Sequence, residues 1–254
     1  GTAYDILQAV GCQVPVVAIP AGVKVYSGVF ALSPRAAAEM VRAYTQGAAV
    51  IEREVLDIDE DAFREGRLDA DFAGYLVVPN FETQLQAGKE GTVLTPDTLN
   101  AQRDIAAGFA EEMGSDRLYL LGPGTTVKAL AEEIHISKTL LGVDAVVNNR
   151  VVGADLNENQ ILSLMDSFPQ RMIVITPLGG NGFLFGRGNK QFTPDVIRHV
   201  GLENIVILAT PEKIRGTDVL RVDTGDAELD NALAGYREVM VGYKVGRVVK
   251  TVAV

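Results

Sequence analysis

Residues 117–134, RLYLLGPGTTVKALAEEI, carry the clearest fold pattern in the sequence. An apolar run at 117–121 predicts a buried strand, and the glycines after it predict a turn. Beyond the turn, apolar residues recur at i, i+3, i+4 and i+7 from Val127, which is the spacing of one face of a helix. A strand, a glycine turn and an amphipathic helix together make one βα unit.

The same alternation continues towards the end of the chain. Further strands are predicted at 140–147, 171–176, 204–209 and 219–223, and further helices near 157–167, 193–201 and 227–235. Strands that alternate with helices predict an α/β fold around a largely parallel or mixed sheet. The stretch 48–80 and the last 20 residues predict some antiparallel strands in addition.

The first 47 residues contain one predicted strand, at 14–19, and one helix that Ser33-Pro34 opens. A single strand–helix unit is too small to bury a core of its own. The sequence also begins at Gly1, inside a helix-like stretch, and not at a methionine. We therefore expect residues 1–47 to end an amino-terminal α/β domain whose earlier part is missing, and residues 48–254 to form a carboxy-terminal domain.

The charge and cysteine content exclude several classes of partner. The formal net charge is −10 at pH 7, whereas nucleic acids and anionic membranes attract positive surfaces. No apolar run reaches the roughly 18 residues of a membrane span, and Cys12 is the only cysteine, so no internal disulfide forms. We expect a cytoplasmic protein that binds neither nucleic acid nor membrane. HExxH, CxxC and P-loop motifs are absent from the sequence.

The turn in residues 122–126 is the best candidate for a phosphate site. Gly122 and Gly124 let the backbone approach a ligand closely, and the start of the following helix offers free N–H groups with a partial positive charge. The other candidates here are Thr125, Thr126 and Lys128, which is one turn into the helix. An ordinary βα turn, with a threonine as helix cap, explains the same residues equally well.

A second candidate is the glycine-rich run TPLGGNGFLFGRGN at 176–189, which has five glycines within residues 179–188. Glycine costs backbone entropy, so this density favours a place where the backbone meets a ligand. The run also follows the carboxyl end of a predicted strand, where ligands of α/β sheets bind. Its candidate binding residues are Gly179, Gly180, Gly182, Arg187 and Asn189, and Lys190 adds positive charge.

Three further positions have a functional and a structural interpretation. Lys24 follows the predicted strand at 14–19 and faces either a phosphate or the solvent. Asn157-Glu158 has the groups to bind ribose hydroxyls, but a helix cap explains the pair as well. Asp223 has the chemistry to hold a metal or a hydroxyl, but capping of the next helix explains its segment.

Runs along nearly the whole chain carry a resemblance to a known family. They are GTAYDIL at 1–7, VPVVAIPAGVKVYSGVF at 14–30, LLGPGTTVKAL at 120–130, ITPLGGNGFLFGRGN at 175–189 and LRVDTGDAELDNALAGY at 220–236. The first is similar to the end of the Gly-Gly-Asp-Gly-Thr motif of NAD kinases and diacylglycerol kinases. The set resembles the ATP-NAD kinase family, in its branch of predicted polyphosphate/ATP-NAD kinases related to the acetoin-catabolism protein X.

The resemblance implies a reaction and a domain layout. It implies transfer of a phosphoryl group from ATP or polyphosphate to the 2′-hydroxyl of NAD, with Mg²⁺, to make NADP. It makes residues 1–47 the end of a nucleotide-binding domain, and residues 48–254 an NAD kinase-like carboxy-terminal domain. It also suggests a homo-oligomer whose partner is otherwise a small-molecule nucleotide.

The resemblance also implies site residues. The family's motif aspartate activates the 2′-hydroxyl and would lie before Gly1, so no catalytic residue is assigned within the chain. Gly1 and Thr2 match the rest of that motif. Asn157-Glu158 resembles the family's nucleotide-holding Asn-Glu pair, and Gly122–Thr126 resembles its Thr-Pro-Thr-Gly-Ser-Thr loop. Two alternatives stay open: a kinase of another small metabolite, and a nucleotide-binding module without catalysis.

Overall fold

The computed structural model describes residues 2–20, 27–58, 70–80, 95–178 and 182–254. Contacts divide the chain into two compact units, residues 1–93 with Val254 and residues 94–253. Each unit has its own elements and its own buried apolar residues.

The amino-terminal unit combines helices with an antiparallel pair of strands. Its described elements are α1 (Thr2–Val10), α2 (Pro34–Thr45), β1 (Val50–Ile58) and β2 (Ala70–Pro79). Helix α2 begins as the sequence predicts, because the hydroxyl of Ser33 accepts a 3.0 Å hydrogen bond from the N–H of Ala36 and Pro34 occupies the first turn.

This unit extends past the boundary near residue 47 that the sequence predicts. Val55, Leu76 and Val78 of the β1–β2 hairpin lie in one hydrophobic cluster with buried residues of 29–40. The hairpin supplies the apolar surface that one strand–helix unit lacks. The predicted strand at 14–19 is reduced to an isolated bridge between Ala18 and Phe30, and Pro15 within it has no N–H for a ladder.

The carboxy-terminal unit follows the predicted alternation. Its elements are α3 (Pro96–Ala110), β3 (Leu118–Leu121), α4 (Thr125–Glu133), β4 (Asp144–Val147), β5 (Arg150–Gly153), α5 (Glu158–Ser167), β6 (Arg171–Ile175), β7 (Phe183–Phe185), α6 (Pro194–Val200), a 3₁₀ turn (Leu202–Asn204), β8 (Ile205–Ile207), α7 (Pro211–Arg215), β9 (Leu220–Val222), α8 (Ala227–Leu233), β10 (Gly235–Gly242) and β11 (Val245–Ala253).

One sheet of this unit has five strands in the order β5-β4-β3-β6-β8. Strands β3, β6 and β8 are parallel, and β4 and β5 are antiparallel to their neighbours. Leu121, at the end of β3, pairs with Val174 on one side and with Asp144, the first residue of β4, on the other. Asp144 and the segments that follow β3, β6 and β8 therefore share one edge of the sheet.

The second sheet has four strands in the order β10-β11-β9-β7. Strands β11, β9 and β7 are parallel, whereas β10 is antiparallel to β11. Phe185 pairs with Val222, so the residues after β7 and after β9 lie side by side. The two sheets meet where the N–H of Ala209 donates to the carbonyl oxygen of Met240 at 3.0 Å.

The five-stranded sheet separates two hydrophobic clusters because successive side chains of a strand point to opposite faces. In β3, Leu118 and Leu120 belong to one cluster, and Tyr119 and Leu121 belong to the other. Both faces of the sheet are thus covered, which explains why its strands are continuous apolar runs.

The β10–β11 turn packs against helix α3. A Cβ atom at Gly108 would lie 2.8 Å from the backbone nitrogen of Lys244 and 3.1 Å from the Cα of Tyr243. The hydroxyl of Tyr243 donates to Glu111 at 2.9 Å, and the ammonium of Lys244 lies 2.6 Å from the same carboxylate. Both contacts lower the pKa of Glu111, with the hydrogen bond from Lys244 acting most strongly.

The predicted fold class is confirmed: strands and helices alternate around mixed sheets, and the larger sheet has three adjacent parallel strands. The predicted strand at 140–147 begins later, at Asp144, because the segment before it is held in a side-chain network described below. Within the described ranges, no helix is long and apolar enough to cross a membrane.

Candidate functional site

The turn after β3 is built on close packing at Gly122. Its N–H donates to the carbonyl oxygen of Val174 at 2.9 Å. A Cβ here would lie 3.1 Å from Ile175 Cγ2 and 3.1 Å from Phe192 Cε2, which is tighter than most real contacts. Gly122 is therefore explained by packing, and it brings the start of α4 close to the end of β6.

Gly124 is the residue that begins helix α4. Its φ is +119°, a conformation that side-chain-bearing residues rarely adopt, and its N–H donates to the carbonyl oxygen of Leu140 at 3.1 Å. Among the described residues no side chain caps this helix, so the alternative in which a threonine is the cap does not apply. The N–H groups of the first turn are left for another acceptor.

Thr176 lies directly beside this turn. A Cβ atom at Gly124 would overlap the methyl group of Thr176. The residue is 1% exposed, and its hydroxyl has no hydrogen-bond partner among the residues described. A buried unpaired polar group costs about 1–3 kcal/mol. Thr176 and the start of α4, which has no side-chain cap among the described residues, together form the candidate phosphate site.

The other predicted residues of this segment surround the site. Thr125 accepts a 3.0 Å hydrogen bond from the side-chain amide of Gln102, and Thr126 is buried. The Lys128 side chain is 42% exposed and lies 3.8 Å from Glu132. A surface pair of this kind contributes less than about 1 kcal/mol, so the ammonium is free to turn towards an anion.

A buried carboxylate, Asp144, fixes the segment that holds Gly124. It accepts hydrogen bonds from the N–H of Thr139 at 2.6 Å, the hydroxyl of Thr139 at 2.8 Å and the N–H of Asp155 at 2.7 Å. Lys138 donates to two nearby carbonyl oxygens. Burial lowers the pKa of Lys138 to about 8, while Asp144 and Asp155 oppose that shift.

Asn157 and Glu158 are engaged in helix structure. The amide oxygen of Asn157 accepts from the N–H of Gln160 at 3.1 Å, and the Gln160 side chain accepts from the N–H of Asn157 at 2.9 Å. This reciprocal pair is a capping box for α5. Glu158 accepts a 2.5 Å hydrogen bond from the hydroxyl of Thr193. Nucleotide binding by this pair stays a prediction, and it would require these contacts to open.

The glycine-rich run at 176–189 contains glycines that close packing explains and two buried polar side chains. Gly182 (φ +72°) has no room for a Cβ beside Thr217, and a Cβ at Gly186 (φ +89°) would overlap the backbone of Asp223. Arg187 and Asn189 are buried after β7, at the edge of the four-stranded sheet. These two residues thus belong to a different sheet edge from Gly124.

Four predicted binding residues lie outside the described part of the chain: Gly1, Lys24, Gly179 and Gly180. Thr2 is the first residue of α1 and is exposed. The sequence did not single out Thr176 as a polar site or Asp144 as a buried carboxylate. Their position at the edge where the parallel strands end was the signal that could have found them.

The comparisons with known proteins give one match. The family model of the ATP-NAD kinase C-terminal domain matches residues 115–251. No curated protein and no solved structure gives a significant match. The matched range covers more than half of the sequence, runs from just before β3 into β11, and includes both sheets of the carboxy-terminal unit. The chain therefore belongs to the ATP-NAD kinase family.

Proposed function

We propose that this protein transfers a phosphoryl group from ATP or polyphosphate to the 2′-hydroxyl of NAD and so makes NADP. Family membership supports the reaction class. The observation that carries the proposal is the start of α4, which no described side chain caps and which packs against Thr176, whose buried hydroxyl has no partner among the described residues.

A phosphate group of the nucleotide fits the chemistry of that position. The free N–H groups of a helix start donate to phosphate oxygens, and the helix dipole favours their negative charge. Thr176 supplies a hydroxyl beside them, and Lys128, one turn into the helix, supplies a mobile cation. The acidic net charge of the chain is no obstacle, because these groups act locally.

The proposed contribution of these residues is binding and orientation. Phosphoryl transfer depends mostly on positioning the reacting groups and on neutralising charge. Gly124 allows the backbone to pass close to the ligand, and Asp144 fixes the segment whose Leu140 carbonyl holds Gly124. The base that activates the acceptor hydroxyl is not assigned to any of these residues.

The family implies Mg²⁺, and the described residues do not form a complete set of protein ligands for it. Nowhere in the described ranges do three or more His, Cys, Asp or Glu side chains form a group that could hold a metal ion. Mg²⁺ commonly binds through one or two carboxylates together with substrate phosphates. We therefore propose that the ion arrives on the phosphates of the donor, where it neutralises their charge.

The test is NADP formation from NAD with ATP or polyphosphate and Mg²⁺, in the wild-type chain and in two isosteric variants. Thr176→Val removes the hydroxyl beside α4. Thr251→Val is the matched control, because Thr251 is equally buried, its hydroxyl also lacks a partner, and it lies in β11. We expect Thr176→Val to raise the KM for the nucleotide about tenfold, and Thr251→Val to leave it unchanged.

The other outcomes separate the alternatives. Nucleotide binding that depends on Thr176, without NADP, would favour a different acceptor or a non-catalytic nucleotide-binding module. If both variants form NADP with the KM of the wild type, the proposed reaction stands and the assigned site at α4 is refuted.

A further inference from the structure

A buried guanidinium without hydrogen bonds lies at the edge of the four-stranded sheet. Arg187 follows β7, and only 8% of its side chain is exposed. Its Nε, Nη1 and Nη2 atoms are all buried, and none has a hydrogen-bond partner in the described part of the chain. A guanidinium has five N–H donors. Burial of so many unpaired donors is costly, so the arrangement needs a physical reason.

The contacts of Arg187 fix the position of the guanidinium but give its N–H donors no hydrogen-bond acceptor among the described residues. Its central carbon lies 3.9 Å from the centroid of the Phe183 ring, a cation–π contact. Nη2 lies 3.8 Å from Oδ2 of Asp223, which is an ion pair but is too long for a hydrogen bond. Burial lowers the pKa of Arg187 to about 10, and Asp223 opposes that shift. The guanidinium is oriented, and its buried donors have no hydrogen-bond partner among the described residues.

The backbone around the pair is closely fitted. Gly186 leaves no space for a side chain against the backbone of Asp223, and the N–H of Asp223 donates to the carbonyl oxygen of Phe185 at 3.2 Å. The side chain of Asp223 is 19% exposed, so the pair reaches solvent on the carboxylate side. Tight backbone contact on one side and solvent on the other are features of a preformed site.

A second unpaired group follows two residues later. The side chain of Asn189 is fully buried and donates from Nδ2 to the carbonyl oxygen of Leu184 at 2.7 Å. Its Oδ1 has no partner among the residues described. The segment therefore leaves both the Arg187 donors and one amide acceptor unused, an unusual combination in a protein interior.

We propose that Arg187, held by Phe183 and Asp223 after β7, is the receptor of a second anion site that takes a carboxylate or phosphate oxyanion. The planar guanidinium presents paired donors that match two oxygens of such a group. In the free protein Asp223 balances the charge of Arg187. The bound oxyanion takes over the donors that Asp223 does not reach.

The charge around the site suits one oxyanion. Lys190 and Asp230 also act on Asp223, and Arg221 acts on Arg187. Asp230 is already engaged, since its Oδ1 accepts from the N–H and the hydroxyl of Thr224. Lys190 and Arg221 thus add positive charge around the Arg187–Asp223 pair.

This site does not depend on the proposed reaction. If the protein binds a dinucleotide, the oxyanion belongs to a second phosphate of that ligand. If it does not, the site takes a small carboxylate or free phosphate. The two cases share the chemistry of an oxyanion, so the experiment uses inorganic phosphate and acetate as separate probes.

The experiment follows the Nε–Hε signal of Arg187 in the wild-type protein by NMR while each probe is added. We expect a saturable shift with at least one probe, and the stronger probe identifies phosphate or carboxylate as the ligand class. The Arg187 variants lack this signal, so their binding is followed at the backbone amide of Asp223; Arg187→Met should bind the probe at least about tenfold more weakly, and Arg187→Lys should restore only part of the affinity. Arg215→Met is the charge control, because its side chain is 66% exposed in α7.

The outcomes separate this proposal from the proposed function. An Arg187 signal that moves with neither probe would overturn the site, as would an equal loss of binding in Arg215→Met. Thr176→Val should leave the Arg187 shift unchanged. An intact Arg187 shift without any nucleotide binding at α4 would refute the proposed function and keep this inference.

Discussion

Replacement of Gly124 by alanine tests the geometry on which the α4 site depends. The substitution has two separate costs. Alanine at φ +119° is strained, which costs about 1–3 kcal/mol. Its Cβ would also overlap the buried methyl group of Thr176, and overpacking of a buried contact adds about 1–3 kcal/mol. We expect the free energy of unfolding of the carboxy-terminal unit to fall by the sum of both terms.

The chain contains a matched control for the first term. Gly235 has φ +118°, and no atom lies within 4 Å of a Cβ built there. Gly235→Ala should therefore cost the backbone strain alone. The assay is urea denaturation of both variants followed by circular dichroism, with Gly124→Ala expected to be less stable than Gly235→Ala by about 1–3 kcal/mol. Equal stability of the two variants would refute the close contact between Gly124 and Thr176.

Three further substitutions test other parts of the structure. Burial lowers the pKa of Lys213 to about 8. Between pH 8 and about 10.5 the unfolded chain therefore binds more protons than the folded chain. The destabilisation caused by the buried ammonium is complete below pH 8 and disappears as the pH rises through that window. At pH 7, Lys213→Met should therefore be more stable than the wild type by roughly 1–3 kcal/mol. Urea titrations should show this difference shrinking up to pH 10, and a constant difference would contradict the lowered pKa of Lys213. Asn157→Ala should lose about 1 kcal/mol through the capping box of α5, whereas Asn159→Ala, an exposed neighbour, should lose much less in the same titration. Gly108→Ala should cost about 1–3 kcal/mol despite the better helix propensity of alanine, because the added Cβ meets the backbone of Lys244; a gain in thermal stability would show that the β10–β11 turn is not packed on α3.

Local signals of the sequence predicted the fold class well. Ser33, which is followed by proline, begins a helix as its cap chemistry requires. The apolar runs of 118–121 and 171–175 became strands buried on both faces. These features depend on neighbouring residues only, so a single sequence contains them.

Features that depend on distant contacts escaped prediction. The hairpin β1–β2 packs into the amino-terminal unit, which no local pattern shows, so the unit runs past residue 47. The segment before β4 is held by the buried carboxylate of Asp144, and this delays the strand. Both effects come from residues that are far apart or ambiguous in the sequence.

The candidate sites show the same limit. The sequence located the turn at 122–126, but only the structure distinguishes a free helix start from a capped one. Thr176 looked like an ordinary residue before a proline until its buried hydroxyl and its contact with Gly124 were known. Arg187 was predicted as a binding residue, but only the structure shows that it is buried without a hydrogen-bond partner among the described residues.

An NMR titration with ATP tests the α4 site directly, by following the backbone amides of Thr125 and Thr126 in the wild-type protein and in Thr176→Val. The proposal is that the free start of α4 and the hydroxyl of Thr176 hold a phosphate of the nucleotide. It predicts saturable shifts of both amide signals in the wild type and affinity weakened about tenfold in the variant. Nucleotide binding that shifts other amides and leaves these two unmoved would contradict it.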